Sequence, residues 1–215
     1  MPGSGCAGLD GVTSADPARG IDSDVRDETR DRILQAGMRC TAQFGRAKTT
    51  MQDVALAAGV SRATLYRYFA DRGALFSGIR EYEHERDLAE FEQRAAGART
   101  LADAVAALGE VLAATSARYR VGAHVAAGDE SLASYMALRS GRERERAAAL
   151  IRPHVARAAE SGELRHGVSA GEAEEWIALA VVQATSLAPL QSVDSEDPAA
   201  VGRWLARMTC AGICA

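Results

Sequence analysis

The stretch from Thr49 to Phe69 leaves this chain the least freedom. Thr50 is a helix N-cap by type, and Asp53 three residues later completes a capping box. Ser61 is a second N-cap only eleven positions on, so the two helices must be short. Gly59 lies between them and can take the positive φ that a sharp turn needs. Ala55 and Ala58 are small enough to let the two helices cross closely, and Val60, Leu65 and Phe69 supply an inward apolar face. The second helix is left with Arg62, Ala63, Thr64 and Arg67, polar or small residues that can face a major groove. The pattern predicts a helix-turn-helix.

The flanks extend the helical reading. From about Asp24 to Phe44, Ile33, Gly37, Cys40 and Phe44 fall on one helix face, and Gly45 ends the run. Asp71 caps a long helix to about Ala95. Further helices are predicted from Thr100 to Arg118, over Asp129–Leu138, and from Arg142 to Glu160, where Pro153 should kink or interrupt the last of these. Ser169 with Glu172 forms a further capping box, opening a helix to about Ala188, and Asp197-Pro198 opens the final one. Aromatic residues make up only 5%, so few stretches favour strands. The expected fold is all-α. A disordered tail over 1–22 precedes a three-helix DNA-binding unit over 23–70 and a larger helical domain over 71–215, to which the family resemblance given below assigns ligand binding and dimerisation.

Charge supports that division. The whole chain carries −4, but Arg39 to Arg80 holds seven bases against two acids, a net of +5. A basic island in an acidic chain suits a small nucleic-acid-binding unit on a larger partner-binding one. Cys6, Cys40, Cys210 and Cys214 form neither a disulfide framework nor a zinc pattern with the histidines. Glycine-rich phosphate loops and nucleophile–base spacings are missing, so no catalytic residue, metal or cofactor is expected, and the protein is not read as an enzyme. There is no apolar run of the ~20 residues that would cross a bilayer, and no signal peptide, so a cytoplasmic location is expected.

The run Ala58-Gly59-Val60-Ser61, then Thr64-Leu65-Tyr66, Tyr68-Phe69, Asp71-Arg72 and Leu75, resembles the TetR family of transcriptional regulators over roughly Arg26 to Phe76. Gly73 departs from that pattern, where a better helix former is usual. The resemblance implies that Thr49 and Thr50 contact phosphate and that Ser61 caps a recognition helix. It also implies that Arg62, Ala63 and Thr64 approach base edges, that Tyr66 and Tyr68 give hydroxyl contacts, and that Arg72 anchors a phosphate. Lys48 is either a phosphate contact or a solvated loop lysine, and Arg67 either reads a base or is a surface charge. Tyr66 and Tyr68 are equally explicable as packing residues.

Two apolar stripes near the C-terminus need burial: Trp176, Ala180, Val181, Ala184 and Leu187, then Val201, Trp204, Leu205 and Met208. They fit an intramolecular core. The resemblance implies instead that they pair with their copies in a homodimer bound to double-stranded operator DNA. The middle helices would then enclose a pocket for a small effector, with Tyr82, Tyr119, His124, Tyr135, Met136 and Trp176 as candidate linings. The scarcity of buried-looking charge favours an apolar or amphipathic ligand. The competing expectation is a DNA-binding regulator governed by a protein partner, or by no small molecule at all.

Overall fold

The computed structural model describes residues 17–123, 130–186 and 190–215. These form eight helices: α1 (Pro17–Phe44), α2 (Met51–Ala57), α3 (Arg62–Tyr68), α4 (Arg72–Ala95), α5 (Leu101–Ala123), α6 (Glu130–Glu160), α7 (Ala170–Ser186) and α8 (Pro198–Ile213). The fold is all-α, with an N-terminal helix-turn-helix unit and a C-terminal helical body. The one departure among the described residues is an isolated antiparallel bridge between Leu164 and Cys214, which fastens the chain end to the α6–α7 turn.

Local chemistry explains the ends of most helices. Thr50 and Asp53 make the capping box of α2, with the Thr50 backbone donating to Asp53 Oδ2 at 2.9 Å and the Asp53 backbone donating to Thr50 Oγ1 at 3.2 Å. Ser61 accepts from the Thr64 backbone at 3.0 Å, and Asp71 accepts from that of Ala74 at 2.8 Å. Ser169–Glu172 repeats the box at α7. Thr100–Asp103 repeats it at α5, where Glu163 from the α6–α7 turn also accepts from the Leu101 backbone at 2.6 Å.

Two predicted boundaries differ. Helix α1 starts at Pro17 rather than near Asp24, because proline suits the first turn of a helix, where its missing N–H costs nothing. Residues 1–16 of the expected tail lie outside the described residues. Helix α6 runs unbroken from Glu130 through Pro153, where two pieces were expected. Pro153 is solvent-exposed, and buried Leu150, Ile151, Val155 and Ala158 hold the helix on both sides of it. That packing outweighs the loss of one backbone bond, ~3 kcal/mol for proline in a helix interior.

The apolar residues divide into two cores. One gathers Ile33, Leu34, Val54, Leu65, Phe69, Leu75, Phe76 and Ile79 from α1 to the first half of α4. The other gathers Phe91, Leu101, Leu108, Val111, Ile151, Ile177 and Leu205 from the second half of α4 to α8. Helix α4 therefore belongs to both. Helices α5 and α8 approach backbone to backbone: a Cβ on Gly202 would sit 2.3 Å from the Ala106 carbonyl oxygen. Phe44 closes the predicted α1 face but is 45% exposed, because α1 ends there and Gly45 turns the chain away.

Candidate nucleic-acid interface

The turn between α2 and α3 is held by backbone alone. Gly59 takes φ 65°, and the Val60 amide donates to the Ala55 carbonyl at 3.0 Å. Leu65 is fully buried, and Phe69 closes the helix against the same core. The opposite side of α3 is then forced outward: Ser61, Arg62, Ala63, Tyr66 and Arg67 are exposed, and Thr64 is half-buried. The Ser61 and Thr64 hydroxyls lie 2.9 Å apart, so the cap organises the first turn of the ridge. Arg62 lies over the Tyr66 ring at 5.5 Å and Arg67 over the Tyr68 ring at 5.6 Å. These contacts stiffen two long side chains without using their fork of donors. Tyr68 is half-buried and packs on the N-terminal core, so its ring has the packing role.

Lys48 and Thr50 are exposed beside the start of α2. The Thr50 hydroxyl donates to Asp53 at 2.7 Å, and these bonds hold the Asp53 carboxyl below the usual carboxylate range.

Two residues predicted to contact phosphate have hydrogen-bond partners within the chain. Thr49 is 1% exposed and its hydroxyl donates to the Gly45 carbonyl at 2.9 Å, so it closes the α1–α2 loop from inside. Arg72 donates from Nε to the Thr49 carbonyl at 3.1 Å and from Nη2 to the carbonyls of Arg46 and Ala47. Its guanidinium also stacks on Phe76, with Arg46 stacked on the same ring, each 4.8 Å from the centroid. Arg72 thus fastens the 45–49 loop to α4 through Nε and Nη2. Sequence reasoning missed Arg46, whose partner ring lies thirty residues away. It also missed Leu56, which is 83% exposed on α2 despite its apolar type.

In the C-terminal body, Val181, Val201 and Leu205 are buried within the chain's own core, so they are not available to a partner surface. Trp176 is 47% and Met208 56% exposed, and Ala180, Ala184 and Trp204 are half-buried. Leu187 lies outside the described residues, as do His124 and the side chains of Tyr119, Tyr135 and Met136. Tyr82 is half-buried, and its hydroxyl accepts from Gln35 Nε2 at 2.8 Å.

The family profile for bacterial regulatory proteins of the tetR family matches residues 33–79, the segment that builds the N-terminal core and carries α2 and α3. The N-terminal module is similar to the tetR family over that segment alone. The HTH-type transcriptional regulator AcrR from Shigella flexneri is 40% identical over 65 residues, covering 30% of each chain. The repressor LfrR from Mycolicibacterium smegmatis is 36% identical over 73 residues, 34% of this chain and 38% of that one. The matches thus span only about a third of these curated relatives. The fold likeness extends further. A complex of SmeT with triclosan superposes with a TM-score of 0.58 over 87% of this chain and 92% of that one, at 22% identity. SmeT is the repressor of a Stenotrophomonas maltophilia multidrug efflux pump. At that identity the likeness establishes the fold alone.

Proposed function

We propose that this protein is a tetR-type transcriptional regulator, a repressor that binds a near-palindromic operator as a homodimer and is released by a small apolar or amphipathic ligand. The observation that carries this is the outward ridge of α3. Ser61, Arg62, Ala63, Tyr66 and Arg67 project from a closed core on a helix whose ends are fixed by Ser61 and Phe69. An exposed guanidinium in that position can read guanine with two hydrogen bonds, and hydroxyls and further guanidinium groups set register on phosphate.

Homodimerisation is supported by the exposed side of α7 and α8, where Trp176 and Met208 face outward beside half-buried Trp204. Exposed large apolar side chains on neighbouring helices suit a subunit interface. A two-fold pair would place its recognition helices ~34–36 Å apart, one turn of DNA. Release is supported by α4, one continuous helix whose first half packs in the N-terminal core and second half in the body. A ligand that favours one tilt of α4 would change the spacing of the two modules, provided it binds the two states unequally. The regulator AcrR, the repressor LfrR and the triclosan-bound SmeT are consistent with this reading.

The test is a footprint on the DNA upstream of the protein's own gene, repeated across a salt series to separate specific from nonspecific binding. Arg62→Ala should lose ~1–3 kcal/mol of discrimination at one position of each half-site, while Tyr68→Phe should weaken all sequences alike. Equal loss on every sequence from Arg62→Ala removes Arg62 from base reading. A protected site without two-fold symmetry overturns the dimer.

A further inference from the structure

We propose that the cavity between α1, α4 and α5 is a binding site for an amphipathic organic anion. The cavity is open to solvent and measures about 460 Å³, within the range that small organic ligands occupy. Its floor is apolar, made by buried Met38 with Ala42. One wall is the Tyr82 ring, held in place by the bond from Gln35. Among the described residues, its charged groups are one guanidinium from each helix: Arg39 on α1, Arg86 on α4 and Arg118 on α5. No acidic residue among those described lines it.

Those cations are little compensated. Arg39 makes one long bond, 3.4 Å to the Ala57 carbonyl. Arg86 has no hydrogen-bond or ion-pair partner among the described residues. Arg118 lies near Asp87, but Asp87 is turned into the α4–α5 contact, where it accepts from the Thr115 hydroxyl at 2.7 Å. Guanidinium groups bind carboxylate, sulfonate and phosphate through paired, charge-assisted hydrogen bonds. At an exposed rim each such pair is weak by itself, because water and salt screen it. An occupant that also covers Met38, Ala42 and the Tyr82 ring adds apolar burial to the head-group contacts. A bare inorganic anion lacks that second contribution, and a neutral amphipath lacks the first.

The position gives the site a regulatory meaning, which rests on the ligand-release reading above. Met38 and Tyr82 belong to the N-terminal core, whereas α5 belongs to the body, so an occupant touches both sides of the junction. Binding itself needs no operator, and it is tested without one.

The full chain is titrated calorimetrically with octanoate, 1-octanol and inorganic phosphate, in parallel with Arg86→Ala, Arg118→Gln and, away from the cavity, Arg144→Ala. Octanoate is expected to bind at least about tenfold more tightly than octanol or phosphate. Arg86→Ala and Arg118→Gln should each weaken it about fivefold, the upper range for a solvent-screened ion pair. Arg144→Ala should leave it unchanged, and all three variants should melt as the parent does. Equal binding of octanol and octanoate overturns the proposal. So does octanoate binding that survives both cavity substitutions, or the lack of octanoate binding at millimolar concentration. A gel shift with octanoate then addresses release separately: binding without loss of operator leaves the site standing and overturns the release reading.

Discussion

The two cores of this chain are built by different means. In the N-terminal module the helices α2 and α3 are seven residues each, and their ends and the turn between them are set by residues next to them in sequence: the Thr50–Asp53 box, the Gly59 turn and the Ser61 cap. In the body the helices run to 31 residues and meet through partners far apart in sequence. Gly202 of α8 lies against the Ala106 backbone of α5, Arg152 of α6 grips Glu174 of α7 with bonds of 2.8–3.2 Å, and Glu163 caps α5 across 62 positions. Local chemistry fixes the module that presents a surface; long-range packing fixes the body.

The difference can be broken most directly at Gly202. A Cβ there meets backbone, which cannot rotate away, so α5 and α8 must separate. Gly202→Ala is expected to cost ~3 kcal/mol or more, or to prevent folding, because the overpacking exceeds what alanine gains in a helix. Urea denaturation checks it. A loss below ~1 kcal/mol would show that the helix crossing can relax, and that the body is not held by this approach.

Asp87 sharpens the comparison, because it places a charge problem at the α4–α5 seam. Burial is the main reason its carboxyl is pushed up to about 6 from 3.8. The Thr115 hydrogen bond and the Arg118 charge oppose the rise, and Glu83 and Glu90 add to it. The folded state therefore holds a proton that the unfolded chain has released. Stability from this group is full below about pH 4 and falls as the pH climbs through 6. Asp87→Asn keeps an acceptor for Thr115 and removes the penalty. It should stabilise by ~1–3 kcal/mol at pH 8 and by close to nothing at pH 4. An equal change at both pH values would remove ionisation as the cause.

The same contrast decides what could be read from sequence. The caps, the turn and the buried Leu65 were legible because each depends on neighbours within four residues. Thr49 and Arg72 were assigned to phosphate because hydroxyl and guanidinium groups suit it. Only the fold reveals that carbonyls of the 45–49 loop already accept their hydrogen bonds. In α7 and α8, helical spacing marked an apolar stripe but not its division. Val181, Val201 and Leu205 face the chain's own core, while Trp176 and Met208 face out. The Arg39–Arg86–Arg118 rim draws on three helices across 79 positions, and no local pattern announces such a grouping.

A smaller effect is expected where local chemistry acts alone. Ser61→Ala removes the acceptor for the Thr64 amide and should cost ~1 kcal/mol, with operator affinity falling as the first turn of α3 frays. Unchanged stability would mean that the Gly59 turn and the Leu65 contact already fix the helix without its cap.

The smallest effect is the counterpart of Gly202 within the module. A Cβ on Gly37 would lie 2.5 Å from Ile79 Cδ1, nominally a closer approach than the 2.8 Å that a Cβ on Gly109 would find in the body. The obstacle, however, is the tip of a flexible side chain, and a change of Ile79 rotamer removes it. Alanine also gains up to ~1 kcal/mol over glycine within a helix. Gly37→Ala should therefore change stability by less than ~1 kcal/mol in either direction, measured by the same denaturation as Gly202→Ala. A loss matching that of Gly202→Ala would mean that Ile79 has no second rotamer, and that the module is packed as rigidly across long range as the body is.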